Sequence, residues 1–271
     1  KRIGRAVFDE SSGRRAPVCT HPTGMNWPWD SWAQESWLSV LGYQSGHGDY
    51  GPTLEWIHSG PPARRWRGPP LKPVINLEPP YEDHRAYQSR RPHSAYNVRR
   101  AVYWSLLSTP MAGVTYGAHG IWSWETTPGH EPRDHAGTGV ALVWNQAKDL
   151  PGSTQMGHLA QFAQSLPWWD FVPAPGVLAS QPGQKEPSQF IAAAQTRDKA
   201  HALVYLPRGG TVQLKSAELP RASSLKARWF DPRTGRDQPA TRETATATTT
   251  TTTTTFRAPD DQDWLLVLAT P

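Results

Sequence analysis

Cysteine is almost missing from this chain. Cys19 is the single one among 271 residues, so no disulfide forms within it and the redox compartment stays open. No stretch approaches the ~18 uninterrupted apolar residues of a membrane helix, so no span is read. The glycine-rich phosphate loop, the dinucleotide fingerprint and the nucleophilic serine elbow are all absent. Ser45-Gly46-His47 does not replace them, because adjacent residues cannot face each other as nucleophile and base. Lysine is scarce, 7 against 21 arginines, within a net charge of +5. The pairs Arg64-Arg65, Arg90-Arg91 and Arg99-Arg100 come without a zinc-finger spacing or an RNP-type motif. They read as a solvated arginine-rich surface, with no nucleic acid as partner. The first residue is Lys, and no basic stretch leading into an apolar core opens the chain. A lost leader or a larger N-terminal piece is therefore the expectation.

Two residue types are in excess. Proline stands at 27 of 271, about twice the ordinary ~5%, which implies many loops and few long helices. Tryptophan stands at 14, of which twelve precede residue 170. In that first region short β-favouring runs end in polar clusters. Val18-Cys19-Thr20 leads to His21-Pro22, and Leu41-Gly42-Tyr43 to Gln44-Ser45-Gly46-His47. Val74-Ile75-Asn76-Leu77 leads to Glu78, and Gly113-Val114-Thr115-Tyr116 to Gly117-Ala118-His119. Each run suits a strand buried on both faces. A helix is predicted from Ser94 to the Thr109-Pro110 stop, with Val98, Ala101, Val102, Ser105 and Leu106 on one face. A second carries Met156, Leu159, Ala160, Ala163 and Leu166 and closes at Pro167. Strand, polar tip, helix, strand is the order of a parallel sheet or barrel, with its active site at the C-terminal strand tips.

The chain changes character near residue 170. Phe190–Ala194, His201–Leu206, Thr211–Leu214, Leu225–Phe230 and Trp264–Leu268 read as five strands of a small antiparallel sandwich. A boundary is expected in the Pro/Gly-rich stretch Pro173–Gly183, giving domains 1–172 and 173–271. The threonine octet Thr248–Thr255 reads as low-complexity padding in a hairpin loop.

Glu78 is the sharpest chemical candidate. It leaves an apparent buried strand and two prolines fix the backbone beyond it, so its carboxylate is rigidly aimed as a nucleophile or general base must be. An arginine-paired structural glutamate is the bland alternative. Glu82 and Asp83 follow in the same loop. His21, His47 and His119 each follow a separate strand and would converge on one pocket, either to hold hydroxyls or to ligate zinc. Their wide spacing lacks a chelating motif, so zinc is the weaker of the two. The ligand-rich run His119…Glu125…His130-Glu131…Asp134-His135 reads as a flexible loop. Trp27, Trp29, Trp32 and Trp37 crowd one loop, while Trp122 and Trp124 follow His119. Flat indole faces beside carboxylates suit sugar rings, although Trp104, Trp168 and Trp169 read as core filler.

Several of these segments, in order, resemble the apiosidase-like glycoside hydrolases. They are Lys72-Pro73-Val74 with Glu78-Pro79-Pro80-Tyr81-Glu82, Thr20-His21-Pro22, Gln44-Ser45-Gly46-His47, Asn97-Val98-Arg99-Arg100-Ala101-Val102-Tyr103-Trp104, Thr115-Tyr116-Gly117 and Leu150-Pro151-Gly152-Ser153-Thr154-Gln155-Met156. The tail, Trp229-Phe230-Asp231-Pro232-Arg233-Thr234-Gly235 and Asp263-Trp264-Leu265-Leu266-Val267-Leu268, is similar to that family's C-terminal collagen-binding-type β domain. The resemblance implies α/β plus all-β architecture: strands five to eight, the C-terminal half of a (β/α)8 TIM barrel, followed by an antiparallel β-sandwich. Strands one to four, with an Asp at the end of the fourth, would lie in a longer parent. Glu78 would be the catalytic carboxylate on plant-type polysaccharide side chains. His21, Gln44, His47, Tyr81, Glu82 and His119 would hold hydroxyls, with Trp122 and Trp124 as stacking walls. Two carboxyls suffice for glycoside hydrolysis, so no metal or organic cofactor is implied. An extracellular or periplasmic location is expected. Two rivals stand beside this reading: a non-catalytic carbohydrate-binding or adhesion protein using the sandwich, and a zinc hydrolase built on the three histidines.

Overall fold

A computed structural model describes residues 1–9, 16–67, 72–220, 225–247 and 252–270. Three parallel strands form the first sheet, in the order β1 (Leu41–Gln44), β2 (Val74–Glu78) and β3 (Gly113–Val114). Four were expected. Val18–Thr20 contributes only a parallel bridge, Cys19 to Val40, and the fourth run is strand for two residues. The half-barrel expected from the resemblance is therefore reduced, in this topology, to a three-stranded parallel sheet with one bridged edge.

The helix Ala95–Ser108 begins where the sequence places it. Ser94 Oγ accepts from the Asn97 amide while Asn97 Oδ1 accepts from the Ser94 amide, a reciprocal cap. Every residue from Val98 to Ser108 is buried, which one apolar face does not predict. The cause is a second partner: the helix lies between the parallel sheet and a large antiparallel one. Arg99 and Arg100 are accordingly buried, not part of a solvated surface. The helix Pro151–Gln164 packs through Leu159 and Phe162, with Met156 and Leu166 partly buried beside them. Ala160 faces solvent.

From Phe171 onward the chain is β-rich. One sheet has six strands in the order β4 (Phe171–Pro173), β5 (Ala192–Thr196), β6 (His201–Leu206), β12 (Trp264–Ala269), β8 (Lys226–Asp231) and β9 (Arg236–Pro239). The other has three, β10 (Arg242–Ala247), β11 (Thr252–Arg257) and β7 (Thr211–Lys215). All pairings are antiparallel. Alternating side chains of the six-stranded sheet serve two cores. Ala193, Val204, Trp229, Leu266 and Leu268 meet Val212, Leu214 and Phe256 of the smaller sheet. Ala194, Leu203, Tyr205, Phe230, Leu265 and Val267 pack on the helices below. Both faces are covered, so these strands read as continuous apolar runs.

Strands β4, β9, β10 and β11 were not read from the sequence. The threonine run is partly resolved by this arrangement: Thr252–Thr255 lie within β11, paired with β7 and β10, and Thr254 and Thr255 are buried. The padding reading fails for that half, since β-branched residues fit a covered strand. Thr248–Thr251 fall outside the described residues.

One buried ion pair joins the β-rich part to the helices. Asp263 accepts from Arg99 Nε at 2.9 Å and Nη2 at 2.6 Å, and from the Tyr205 hydroxyl at 3.1 Å. Arg99 Nη1 donates to Gln155 Oε1 at 2.6 Å, and the Tyr103 and Tyr205 rings stack at 4.7 Å.

Candidate active site

The site is built where the parallel strands end. Register shifts between Tyr43 and Gln44, so that Gln44 pairs with Glu78 after Tyr43 has paired with Asn76. This irregularity brings the last side chains of β1 and β2 to one side of the sheet. Gln44 Nε2 donates to Glu78 Oε1 at 2.6 Å, and His47 Nε2 meets the same oxygen at 2.9 Å. His21 Nε2 lies 3.2 Å from Glu78 Oε2, and the Tyr81 phenol lies beside the same carboxylate. Burial, then the adjacent Glu78 charge, pushes the Tyr81 phenol up.

His47 is fixed from several directions. The Tyr81 amide donates to its Nδ1 at 3.2 Å, which leaves the proton on Nε2, the nitrogen aimed at Glu78. Its carbonyl accepts from the Tyr87 amide at 3.1 Å and from His93 Nε2 at 3.0 Å. The His84 ring stacks on it at 4.2 Å and the Tyr81 ring meets it edge-on at 4.7 Å. Beneath, Asn76 Nδ2 donates to the hydroxyls of Ser45 and Ser105, each at 3.0 Å, and Asn76 Oδ1 accepts from the Glu78 amide at 3.3 Å. The Glu78 carbonyl accepts from the amides of Ser45 and Gly46, and Gly46 adopts φ +82, open to glycine. Glu78 thus sits on a frame of strand, bulge and turn, its side chain 13% exposed.

Five expected residues share this cluster: Glu78, His21, Gln44, His47 and Tyr81. Among the described residues no arginine pairs with Glu78, so the structural alternative raised for it does not describe these surroundings. Trp122 borders the cluster, its ring 6.1 Å from that of Tyr81. The others turn elsewhere. Glu82 is buried, and its Oε2 accepts from the Tyr116 hydroxyl at 2.7 Å and the Gly152 amide at 2.9 Å. It holds the first turn of the Pro151–Gln164 helix, an anchoring role that corrects its reading as a ligand for hydroxyls. Burial pushes its carboxyl up. His119 is fully buried, and its Nε2 bonds the Gly139 carbonyl at 2.9 Å. Of the three imidazoles, His21 and His47 meet Glu78, while His119 stands behind His84, 5.0 Å from its ring; no group of His, Cys, Asp or Glu among the described residues is arranged to hold a metal ion. Trp124 is exposed and stacks on Trp144 at 5.1 Å. Trp29 and Trp37 are buried, with Trp27 and Trp32 packed against the same core; these four serve the fold.

Sequence reading missed the supports. Asn76 was legible as a polar residue inside an apolar strand. His84 and His93 carried no signal in their Pro-rich loop. Burial lowers His84 to about 3, helped by repulsion from His47 and His119, and lowers His93 to about 4. Both stay neutral against His47.

The cluster is thus a carboxylate fixed by donors at the end of a parallel strand. Residues 1–170 match the family described as "Apiosidase-like, catalytic domain". Residues 172–269 match "Putative collagen-binding domain of a collagenase". A solved structure titled "Glycoside hydrolase" superposes with a TM-score of 0.79 at 21% identity, covering 94% of this chain and 57% of its own. A glycoside hydrolase family 5 structure from Bacteroides vulgatus gives 0.73 at 23% identity, with coverage of 94% and 56%. These define a fold of the glycoside hydrolase type. With its catalytic-domain match spanning well over half of the residues, the chain belongs to the apiosidase-like family. It spans a little over half the length of the two solved structures. No curated protein matches it.

Proposed function

We propose that this chain is the C-terminal part of a glycosidase, with Glu78 as its nucleophile. The single observation that carries this is the convergence of Gln44, His47, His21 and Tyr81 on the Glu78 carboxylate at a strand tip. Such donors fix the carboxylate in one orientation and leave it an acceptor, which suits attack and does not suit proton donation. In the retaining reaction one Glu78 oxygen bonds the anomeric carbon as the bond to the leaving oxygen breaks. A second carboxyl about 5–5.5 Å away protonates that oxygen, then deprotonates the water that releases the sugar. Glu82 is occupied by Tyr116 and Gly152, so the partner is assigned to the other half of a (β/α)8 barrel, of which these strands would be five to eight. His21 and Gln44 would also contact sugar hydroxyls, and Trp122 would wall the cleft.

The resemblance read from the sequence supports side chains of plant-type polysaccharides as substrate, and such substrates favour action outside the cytoplasm, extracellular or periplasmic. The chemistry draws on carboxyls alone, with no cofactor. The test uses the longer protein containing this chain. Glu78→Gln should lower turnover of a glycoside substrate by about three orders of magnitude or more, as loss of a nucleophile does, while the thermal midpoint stays put. Wild-type turnover in that variant contradicts the assignment.

A further inference from the structure

Beyond the Glu78 cluster lies a cavity of about 510 Å³, within the size range of small-molecule sites. It is formed by the loop after His119, and Trp122, Trp124, Glu125, His130, Arg133 and Asp134 line it together with threonine hydroxyls. Its architecture is specific. The Glu125 amide donates to the Gly120 carbonyl at 3.0 Å, and the Glu125 carbonyl accepts from the Trp144 amide at 2.8 Å. That second bond ties Trp144 beneath Trp124, and their indoles lie 5° from parallel. Trp124 itself sits at φ +52, a left-handed backbone that a bulky residue adopts at a cost. The strain holds a large indole 61% exposed, where hydrophobic burial would otherwise withdraw it. Val140 and Leu142 are exposed nearby in the chain. Packing does not account for a strained, solvent-facing, stacked indole pair at the mouth of a polar cavity. Ligand binding does.

The geometry points to a second carbohydrate subsite, for a neutral sugar unit remote from the bond at Glu78. It rests on the reading of carbohydrate as ligand, but not on the catalytic role of Glu78. Trp124, supported by Trp144, offers a flat apolar face for the C–H face of a sugar ring. The Glu125 carboxylate and the Thr126 and Thr127 hydroxyls offer acceptors and donors for ring hydroxyls. The lining carries two carboxylates, Glu125 and Asp134, against one guanidinium, Arg133, and Glu125 lies 3.5 Å from His130 Nδ1. No cationic excess is left over to select a uronate. Trp122 is shared, since it lines this cavity and also meets Tyr81. A glycan running from Glu78 past Trp122 would reach Trp124, so the substrate is an oligosaccharide or branch and not a single glycoside.

The test is equilibrium binding, by calorimetry or NMR titration, of the longer protein with xylotetraose, cellotetraose and tetragalacturonate, on the Glu78→Gln background so that nothing is hydrolysed. At least one neutral tetrasaccharide should bind more tightly than the uronate. Trp124→Gly, which suits the left-handed backbone, should weaken that binding about 5–10-fold, the worth of one aromatic stack. Trp124→Phe should recover most of it, and Trp169→Ala, which removes an 82% exposed indole elsewhere, should leave it unchanged. Absence of neutral binding, uronate preference, or equal affinity with Trp124→Gly each overturns the subsite. Failure of the catalytic reading shows separately, as hydrolysis by the Glu78 variant.

Discussion

Removing the Asp263 carboxylate should destabilise the whole protein, although the residue lies far along the chain from every parallel strand. Asp263 is fully buried and Arg99 nearly so. Asp263→Ala deletes two charge-assisted bonds of 2.6 and 2.9 Å and the acceptor of the Tyr205 hydroxyl. Among the described residues, Arg99 would keep Gln155 Oε1 and the face of the Tyr96 ring as partners for its charge. Breaking a buried pair from one side costs about 3–5 kcal/mol, because the surviving ion stays desolvated. Against a typical stability of ~5–15 kcal/mol, that is about a fifth of the total or more, a fall of roughly 10 °C in thermal midpoint for a chain of this size. Urea unfolding followed by tryptophan fluorescence reads it. In a double-mutant cycle, Arg99→Met with Asp263→Ala should cost about 2 kcal/mol or more less than the sum of the singles. A loss under about 1 kcal/mol for Asp263→Ala, or strict additivity, would refute the view that this pair clamps the sheet onto the helix.

Three further outcomes are expected. Stability should fall as pH drops from about 6.5 toward 4. His58 and His84 are held down at about 3 and His93 at about 4, chiefly by burial, so the unfolded chain takes up protons that the folded one refuses. Glu82 and Asp83, raised by burial, work in the opposite direction near pH 4–5 and soften the slope; a flat stability profile from 7 to 5 contradicts the neutral histidine stack. Gly152→Ala should destabilise by about 1–3 kcal/mol despite alanine's better helix propensity, since the added methyl overlaps Glu82 Oε2; chemical denaturation decides. Gly117→Ala should displace the Tyr81 ring, which occupies the space of the new methyl, and so lower turnover in the longer protein more than it lowers stability.

The residues that end strands were legible. Glu78, Gln44 and His47 stand out because each follows an apolar run and precedes a breaker, and a parallel sheet gathers such tips at one end. His119 stands in the same place by that rule yet turns to the Gly139 carbonyl, because a side chain after a two-residue strand is placed by its loop and not by the sheet. Glu82 misled for a related reason. Its sequence neighbours are site residues, while its partner Gly152 is 70 positions away. The half-buried expectation for Ala95–Ser108 missed its second face because a six-stranded sheet from the end of the chain covers it. Strands β9 and β10 escaped notice because they are polar: every residue of β9 is exposed, and no alternation marks it. Hydrophobic pattern reports the covered elements, and edge strands lack that signal.

The central claim is that Glu78 forms the bond to the anomeric carbon. It is tested most directly by Glu78→Ala in the longer protein, assayed with an activated aryl glycoside and sodium azide. The account predicts negligible turnover without azide and restored release of the phenol with it, the product being a glycosyl azide of inverted anomeric configuration, because azide occupies the space left by the carboxylate. Undiminished hydrolysis without azide, or an inactive variant that azide fails to rescue while it remains folded, would contradict it.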